Sequence, residues 1–541
     1  MSIECLEPRI APAAIALTLS GTALKATIAG SSDTIAFATQ STAGGDPAVY
    51  VGAGDTVTLN GSPLSPTSSG GNIFALTGHH VGSISVVDAN PDDHGNQFFF
   101  ASPVHGSISV SLAGVSNTIN VATPLITGGI TVKTPAGGTT VNFQNLSSNT
   151  QEIVGPVKLN LGAAGGLVTV GTPQFQADGA FTVTGGPAKA PASPASTAFI
   201  VNQTSGSSPY FKVGGPLSFL SPYGAGHFSI SSTAVNIGGN LTVTEAGSTI
   251  SGQAEGITSP ITDIGGNLSV HTTGGQSINF SGNLLLIGGK TTVSQPGGGS
   301  LTIQAQSGFT SGAMALVGSP TGALIFTALA PTAGSIAPTS GAMISGGVKI
   351  SGYNQASFGL IGEVGGNFSL SGVPNVNLNT GGSSSSGHLG IGGAFSITAS
   401  AKSSNNFTVA GLFVGGSFTV TGSSMGVGMN LSNSTIGGNA VFNLGPKVNS
   451  PGQSVTITET SGDTQMLIAG SLTANLGPSG TFAIVNQNSV PVPIVYGAAT
   501  ITEPTGATDA LTLPTSAFAV PVKVQMLSPH TISLLAASRF R

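Results

Sequence analysis

The chain has 541 residues, of which 82 are glycine, 39% are hydrophobic and only 6% are charged. Its 13 basic and 18 acidic residues give a net charge of −5, which excludes the basic surface typical of a nucleic-acid-binding protein. A single cysteine excludes an internal disulfide framework. No apolar run reaches the length of about 18 residues that a transmembrane helix requires, so none is predicted.

Residues 1–20 precede the part of the chain in which a sequence motif repeats, described below, and they are predicted to form an N-terminal cap. The segment contains the string CLEPRIAPA at residues 5–13, with Leu6, Glu7, Pro8 and Arg9 near its centre. A conventional signal peptide has a basic start before its apolar run, whereas acidic residues precede the apolar residues here. The N-terminal segment therefore does not match a conventional signal peptide, and export of this protein from the cell is inferred and not shown by this segment.

The densest group of potential metal ligands lies in the segment VVDANPDDHGNQFFF, residues 86–100. Carboxylates and imidazoles bind divalent metal ions, and the candidate ligands are Asp88, Asp92, Asp93 and His94. Further histidines flank the segment at His79, His80 and His105. The simpler interpretation is a polar turn, because Asn, Pro, Asp and Gly each favour turns for local backbone reasons. The metal site is the alternative.

A degenerate motif of two glycines followed by a short alternating segment recurs about every 24 residues. Its clearest copies are IGGNLTVT at 237–244, IGGNLSVH at 264–271, VGGNFSLSG at 364–372, IGGAFSITA at 391–399 and VGGSFTVTG at 414–422. The alternation predicts a strand with Leu241 and Val243 pointing inward and Thr242 and Thr244 outward. The paired glycines suit a corner, where the chain needs a positive φ or a close backbone approach.

These features predict an all-β fold, a single-stranded parallel β-helix with a right-handed coil, over residues 21–479. An antiparallel sandwich also has many short strands, but nothing in it requires one motif at a near-constant spacing. Two irregular steps predict loop insertions, near 185–198 and near 305–345. The second step is expected to hold two coils between Gly288 and Gly346, with GGSLTIQA at 298–305 as the additional copy of the motif.

The asparagine after the paired glycines recurs at Asn240, Asn267, Asn367 and Asn439. Equivalent positions stack in a β-helix, so we expect these amides to form a hydrogen-bonded ladder along the axis. Some of them also match the N-x-[ST] glycosylation pattern. An asparagine followed by an apolar residue and Ser or Thr produces that match automatically, which leaves the ladder as the preferred interpretation.

Residues 480–541 depart from the repeat and are richer in proline. Solenoids expose unpaired strand edges at their ends, so this segment is predicted to be an atypical C-terminal cap. No catalytic motif occurs, and acids and histidines such as Glu245, His227 and His388 are isolated in the sequence. We interpret them as single polar residues on a solvated face, and we predict no catalytic residue and no cofactor.

The segment at Leu6 to Arg9 resembles the LEPR-type N-terminal signature of large exported bacterial proteins. The repeats that follow it look similar to the β-solenoid repeats of autotransporter passengers and haemagglutinin-like proteins. The resemblance implies a secreted or cell-surface bacterial protein, a non-catalytic structural β-helical rod that acts as a stalk or an adhesin. Glycans or components of the cell envelope are the partners that it implies.

Two alternatives remain at this stage. One is a polysaccharide-binding or polysaccharide-cleaving β-helix, which would need carboxylates, and a basic residue in a lyase, gathered on adjacent coils. The other is a flat threonine face built from outward pairs such as Thr242 and Thr244, able to order water or bind a glycan. Threonine is also simply a good polar residue for the exposed side of a strand.

Overall fold

We describe the fold from a computed structural model. The structure describes residues 14–29, 33–39, 47–52, 54–67, 72–92, 95–144, 150–186, 196–203, 208–247, 255–328, 341–379, 388–401, 403–422, 425–444, 453–459, 466–476, 480–486, 494–503, 510–520 and 522–526. The signature at residues 6–9 and most of the predicted insertion at 185–198 lie outside this part of the chain. The chain divides into two compact units, Met1–Gly266 and Asn267–Arg541.

The described part of the chain is all-β apart from one 3-10 turn at Thr515–Ala517, and its strands stack in parallel as a β-helix. Each regular coil contributes one strand to each of three faces, and successive coils pair strand on strand. The fold class predicted from the sequence is therefore confirmed. Within the residues that the structure describes, there is no helix long and apolar enough to span a membrane.

The N-terminal unit begins with strands that pair largely antiparallel, here called the cap: Ala14–Ser20, Ala23–Ala29, Thr34–Thr39, Pro47–Tyr50, Thr56–Leu59, Ser62–Pro63 and Ile73–Ala75. Two cap strands also pair in parallel with the first coil. Ala23–Ala29 lies on Ser83–Asp88, and Thr34–Thr39 lies on Gln97–Phe100. The first regular coil thus begins at Ser83.

Three ladders of parallel strands form the rest of this unit, and Leu217–Ser232 belongs to the first two. The first face comprises Ser83–Asp88, Ile108–Leu112, Ile130–Lys133, Val157–Asn160, Phe181–Thr184, Leu217–Ser232 and Leu241–Gly247. The second face comprises Gln97–Phe100, Thr118–Val121, Thr139–Phe143, Gly165–Val170, Ser196–Gln203, Leu217–Ser232 and Glu255–Thr258. The third face comprises Leu125–Ile126, Thr150–Ile153, Gln174–Ala177, Tyr210–Val213, Ala234–Ile237 and Ile261–Ile264.

The C-terminal unit repeats the three faces, and its strands Ile278–Ile287 and Leu301–Ser311 each run from the second face into the third. Its first face comprises Leu268–Thr272, Thr291–Ser294, Met314–Val317, Val348–Ser351, Phe368–Ser371, Phe395–Thr398, Phe418–Thr421, Ala440–Asn443, Leu472–Asn475, Ala499–Glu503 and Val522–Met526. The second continues through Ala323–Ala328, Gln355–Leu360, Asn375–Asn379, Asn405–Ala410, Val427–Ser432, Gln453–Glu459, Gly480–Asn486 and Ala510–Thr512. The third continues through Ala342–Ile344, Gly362–Val364, Leu389–Ile391, Leu412–Val414, Thr435–Ile436 and Leu467–Ile468.

The strand alternation in the motif has the predicted direction. Leu241 and Val243 are buried, whereas Thr242 and Thr244 remain partly accessible. Phenylalanines at inward positions stack from coil to coil, as Phe175 and Phe211 do with ring centroids 5.5 Å apart. Apolar side chains thus fill the interior of the described coils, and burial of that surface stabilises a chain that has little charge.

The paired glycines form the corner between the third and first faces. Glycine is required there because the backbones of successive coils approach each other closely at this corner. Gly416 N donates to Gly393 O at 3.0 Å, and Gly393 N donates to Gly366 O at 3.2 Å. A Cβ on Gly416 would lie 2.8 Å from Gly393 O, which is too close for any side chain. Gly416 and Gly393 do not have a positive φ. The corner therefore selects glycine for packing between coils.

The step from Gly288 to Gly346 contains two coils, as predicted, but the string GGSLTIQA is not the copy of the motif. Its strand, Leu301–Ser311, pairs with Ile278–Ile287 on the second face, whereas the corner glycine of the additional coil is Gly312. Residues 329–340 lie outside the described part. Beyond residue 480, first-face and second-face strands continue the parallel ladders without the sequence motif. The proposed division at residues 20 and 480 stays a prediction.

Candidate functional site

The acidic segment that follows Ser83–Asp88 is organised as a turn around Asp88. This carboxylate is only 2% exposed; its Oδ1 accepts from Asn90 N at 3.0 Å and its Oδ2 accepts from Asn96 Nδ2 at 3.1 Å. Asp92 is exposed, and its main-chain N–H donates to Asn90 Oδ1 at 3.2 Å. Asp88 therefore fixes the turn, while Asp92 points to solvent.

Asn96 connects this turn to the cap and to the next coil. Its Oδ1 accepts from Asp33 N at 2.9 Å, and its main-chain N–H donates to Asn117 Oδ1 at 3.2 Å. Asn117 in turn donates through Nδ2 to Gly114 O at 3.0 Å. Buried polar groups linked in this way fix one arrangement of the chain. Asp88 belongs to a network that holds the end of the solenoid together.

Only part of the predicted metal site falls within the described residues. Asp93 and His94 lie outside the described residues. Among the residues that are described, no group of three or more His, Cys, Asp or Glu side chains is arranged to hold a metal ion. The metal site at Asp88, Asp92, Asp93 and His94 stays a prediction, and the structural contribution of Asp88 stands independently of it.

The side chains of the asparagines after the paired glycines form hydrogen bonds to the next coil, and their partners there are main-chain N–H groups. Asn267 Oδ1 accepts from Lys290 N at 2.8 Å, Asn367 Oδ1 from Ala394 N at 2.9 Å and Asn439 Oδ1 from Ser471 N at 2.9 Å. Each donor occupies the equivalent position in the next coil. Because that position carries Lys, Ala or Ser, these three oxygens bond to the backbone N–H. Asn240 also follows the paired glycines of its coil, and its Oδ1 lies against Gly266 of the next coil.

Amide-to-amide contacts occur at strand positions that the motif does not mark. Asn142 Nδ2 donates to Asn120 Oδ1 at 2.9 Å on the second face, and Asn475 Nδ2 donates to Asn443 Oδ1 at 2.5 Å on the first face. The sequence signal for each was an asparagine at one strand position in two successive coils. It is visible only once the coil boundaries are known.

A buried polar column follows the corner between the second and third faces of the N-terminal unit. Gln151 Nε2 donates to Val121 O at 2.7 Å, and Thr172 Oγ1 donates to Gln151 Oε1 at 3.1 Å. Gln203 Nε2 donates to Thr172 O at 2.7 Å, and Ser232 Oγ donates to Gln203 Oε1 at 2.9 Å. The column satisfies main-chain carbonyls where the chain turns, which is a structural task.

Two residues that we interpreted as solvated are buried. Glu245 and His227 are each only 1% exposed, and Glu245 continues the inward alternation of Leu241 and Val243. Glu245 pairs with Ser221 of the preceding coil, and its Oε2 lies against Gly226. Isolation in the sequence does not predict exposure in a solenoid, since residues of adjacent coils meet regardless of their separation along the chain.

A cleft of about 660 Å³ lies between the cap and the first coil of the N-terminal unit and is here called the cap cleft. Its size is within the ~300–1,000 Å³ range of ligand pockets. The cap lines it with Thr22, Leu24, Phe37, Pro47, Ala48, Val49 and Leu76. The connection to the first coil lines it with His80, Val81 and Gly82, and the first coil itself with Ile84, Ser102, Pro103, Val104 and His105.

Among the described residues, the lining of the cap cleft is mainly apolar and contains no carboxylate. His80 and His105 are exposed, whereas Val104 and Phe37 are almost completely buried. The sequence had indicated these histidines only as neighbours of the acidic segment. The structure brings His80 and His105 to one cleft, because the chain between them completes two faces of the first coil.

The fold and the cleft define a parallel β-helical repeat protein with a capped N-terminal end. Comparison with known proteins adds no narrower class, since no protein-family model, curated protein or solved structure matches the chain.

Proposed function

We propose that this chain is a non-catalytic structural protein of the bacterial cell surface or exterior, a β-helical scaffold with the character of a stalk or an adhesin. Its task is display: regular coils carry contact surfaces at loops and at the capped end. Glycans and cell-envelope components are the proposed partners. No cofactor forms part of the proposal.

The observation that carries this proposal is the division between the inner and outer positions of the coils. Inward positions hold stacked apolar side chains such as Phe395 and Phe418. Outward strand positions hold mainly neutral polar residues such as Ser396 and Thr419, which pair across the same two coils. A surface with few charges on a regular scaffold suits extended contact with neutral material and offers little for acid–base chemistry.

Localisation is tested by fractionating the native cells and treating intact cells with a protease that cannot enter them. An antibody to this chain follows its fate, and a cytoplasmic protein serves as the control for leakage. We expect loss or trimming of this chain while the control stays intact. Full protection in the cytoplasmic fraction would overturn the cell-surface proposal.

Polysaccharide binding is a second candidate, favoured by an exposed row on the third face of the C-terminal unit. Met343, Glu363, Gly390 and Phe413 occupy one outward position in four successive coils. Met343 is 49% exposed and Phe413 is 55% exposed. Coils stack ~4.8 Å apart, so this row presents an aromatic face and a carboxylate acceptor along the axis, and Gly390 leaves a gap between them.

A glycan-binding screen tests this second candidate on the full chain. We expect Phe413→Ala and Glu363→Gln to lose the bound glycan. Ile325→Ala is the matched control, because Ile325 is 44% exposed on the second face of the same unit. Equal loss in all three variants would show that the row has no specific part in binding.

A further inference from the structure

The first coil is covered by the cap on two of its three faces. Ala23–Ala29 pairs with the first-face strand Ser83–Asp88, and Thr34–Thr39 pairs with the second-face strand Gln97–Phe100. On the third face, Val104 forms a parallel bridge with Ile126 of the next coil. Among the described residues, no cap strand lies on the other side of Val104. The cap cleft occupies that place.

The main chain at this position presents a free strand edge to the cleft. Val104 N donates to Leu125 O at 2.9 Å, and Val104 O accepts from Thr127 N at 3.0 Å, so both groups point to the next coil. In a parallel ladder the neighbouring residues direct their groups to the opposite side. Those are the Pro103 carbonyl and the His105 N–H, and both residues line the cap cleft. Within the described chain, neither group has a hydrogen-bond partner.

The side chains around the cleft match what an added strand would bury. Leu24, Val49 and Val104 form part of an apolar wall. A strand that continues the third face would direct alternate side chains against this wall, as Ile126 does on the opposite side of Val104. Its other side chains would face outward, toward the side of the exposed His80 and His105.

We propose that the cap cleft binds an extended peptide strand of another polypeptide, which adds to the Pro103–His105 edge and completes the third face of the first coil. The partner strand is uncharged and has apolar residues at alternate positions. Continuity with the third-face ladder carries this assignment, because the site repeats the contacts that join every later coil. Binding of this kind uses main-chain hydrogen bonds for affinity and pockets for alternate side chains.

The cap argues for a single strand as the occupant instead of the end of a second solenoid. On the first face, Ala23–Ala29 is followed outward by Ala14–Ser20 and then Thr56–Leu59. These strands cover the place where another solenoid's first face would have to continue. An extended segment needs only the width of the cleft.

The test uses the full chain and a fluorescent peptide with the sequence of residues 121–129, which includes the chain's own third-face segment next to Val104. Fluorescence anisotropy measures binding. His105→Pro removes the free N–H without removing any hydrogen bond found within the described chain, and His105→Ala is the control that keeps the N–H but lacks the imidazole. We expect His105→Pro to weaken binding about tenfold and His105→Ala to change it by less than about twofold. A peptide with Ile126→Asp should not bind.

Hydrogen exchange on the wild-type chain provides a second measurement that needs no variant. Addition of the peptide should slow exchange at His105. The proposal is overturned if the peptide does not bind, if the Ile126→Asp peptide binds equally well, or if exchange at His105 is unchanged. Equal loss in His105→Ala and His105→Pro would assign recognition to the imidazole and indicate an anionic amphiphile. A wild-type dimer that His105→Pro dissociates would make a second copy the occupant.

Discussion

Phe395 and Phe418 stack across neighbouring coils, with ring centroids 5.2 Å apart and ring planes 13° from parallel. Each is the second residue after the paired glycines of its motif copy, and their strands pair residue for residue. One motif position thus produces one continuous column inside the solenoid. The same register places Phe413 outside on the third face, where it is 55% exposed. Phe395 and Phe413 therefore give a matched test of an inward and an outward phenylalanine.

Phe395→Ala should lower the free energy of unfolding by about 3–5 kcal/mol, because a buried ring is lost and a cavity remains between two neighbouring rings. Phe413→Ala should change it by about 0.5 kcal/mol or less, since most of that side chain already contacts water. Urea denaturation followed by circular dichroism measures both. Equal effects in the two variants would contradict the assigned register.

Gly416→Ala should destabilise the C-terminal unit by about 1–3 kcal/mol, because the added methyl would meet the backbone of the preceding coil at Gly393 O. Gly390→Ala is the control: its Cβ would meet nothing closer than 3.6 Å, so we expect a neutral or slightly stabilising effect. Thermal unfolding compares the two. A tolerated Gly416→Ala would show that the corner can widen without cost.

Asp88→Ala should destabilise the N-terminal unit by about 2–4 kcal/mol, because Asn90 N and the buried Asn96 Nδ2 both lose their acceptor. Asp92→Ala should have an effect within about 0.5 kcal/mol, since Asp92 is exposed. Thermal unfolding with and without a chelator measures both variants and the wild type. A wild-type transition that falls on addition of chelator would instead support a bound metal ion at this segment.

Burial raises the pKa of the Tyr353 phenol above its ordinary value, and the hydroxyl donates to Gln295 Oε1 at 3.3 Å. The folded state therefore keeps this proton at a pH where the unfolded chain has lost it. The resulting stability is fully present below about pH 10, the ordinary tyrosine pKa, and is lost as the pH rises further. Urea midpoints should fall more steeply above that pH in the wild type than in Tyr353→Phe. Parallel pH profiles would contradict this assignment.

The predicted elements that proved correct depend on local chemistry that repeats. Alternation at Leu241 and Val243 placed both residues inward because strand side chains alternate wherever the strand lies. The failures involve relationships between coils. GGSLTIQA was taken as a corner because it has paired glycines, yet those glycines precede a second-face strand. Glu245 and His227 were placed on a solvated face because each is isolated in the sequence, although the alternation that begins at Leu241 already marks Glu245 as inward.

The candidate site shows the same limit. The histidines near residues 79–105 were noted in the sequence, but their meeting place in the cap cleft depends on how the chain from His80 to His105 closes the first coil. The free edge at His105 could not be inferred at all. It follows from the absence, among the described residues, of a cap strand on the third face, and the largely antiparallel cap carries none of the repeat that made the coils predictable.

The sequence by itself determined that this protein is a parallel β-helix, which side of the strand in each clear motif copy is buried, and that the paired glycines of those copies form corners. Those properties follow from backbone geometry that is the same in every coil. Only the tertiary structure decided which side chains meet between coils, including the Asn367 contact with Ala394 N, the column through Gln203 and the cleft at Val104. The reason is that such contacts depend on the register of coils of unequal length, which local propensity does not specify.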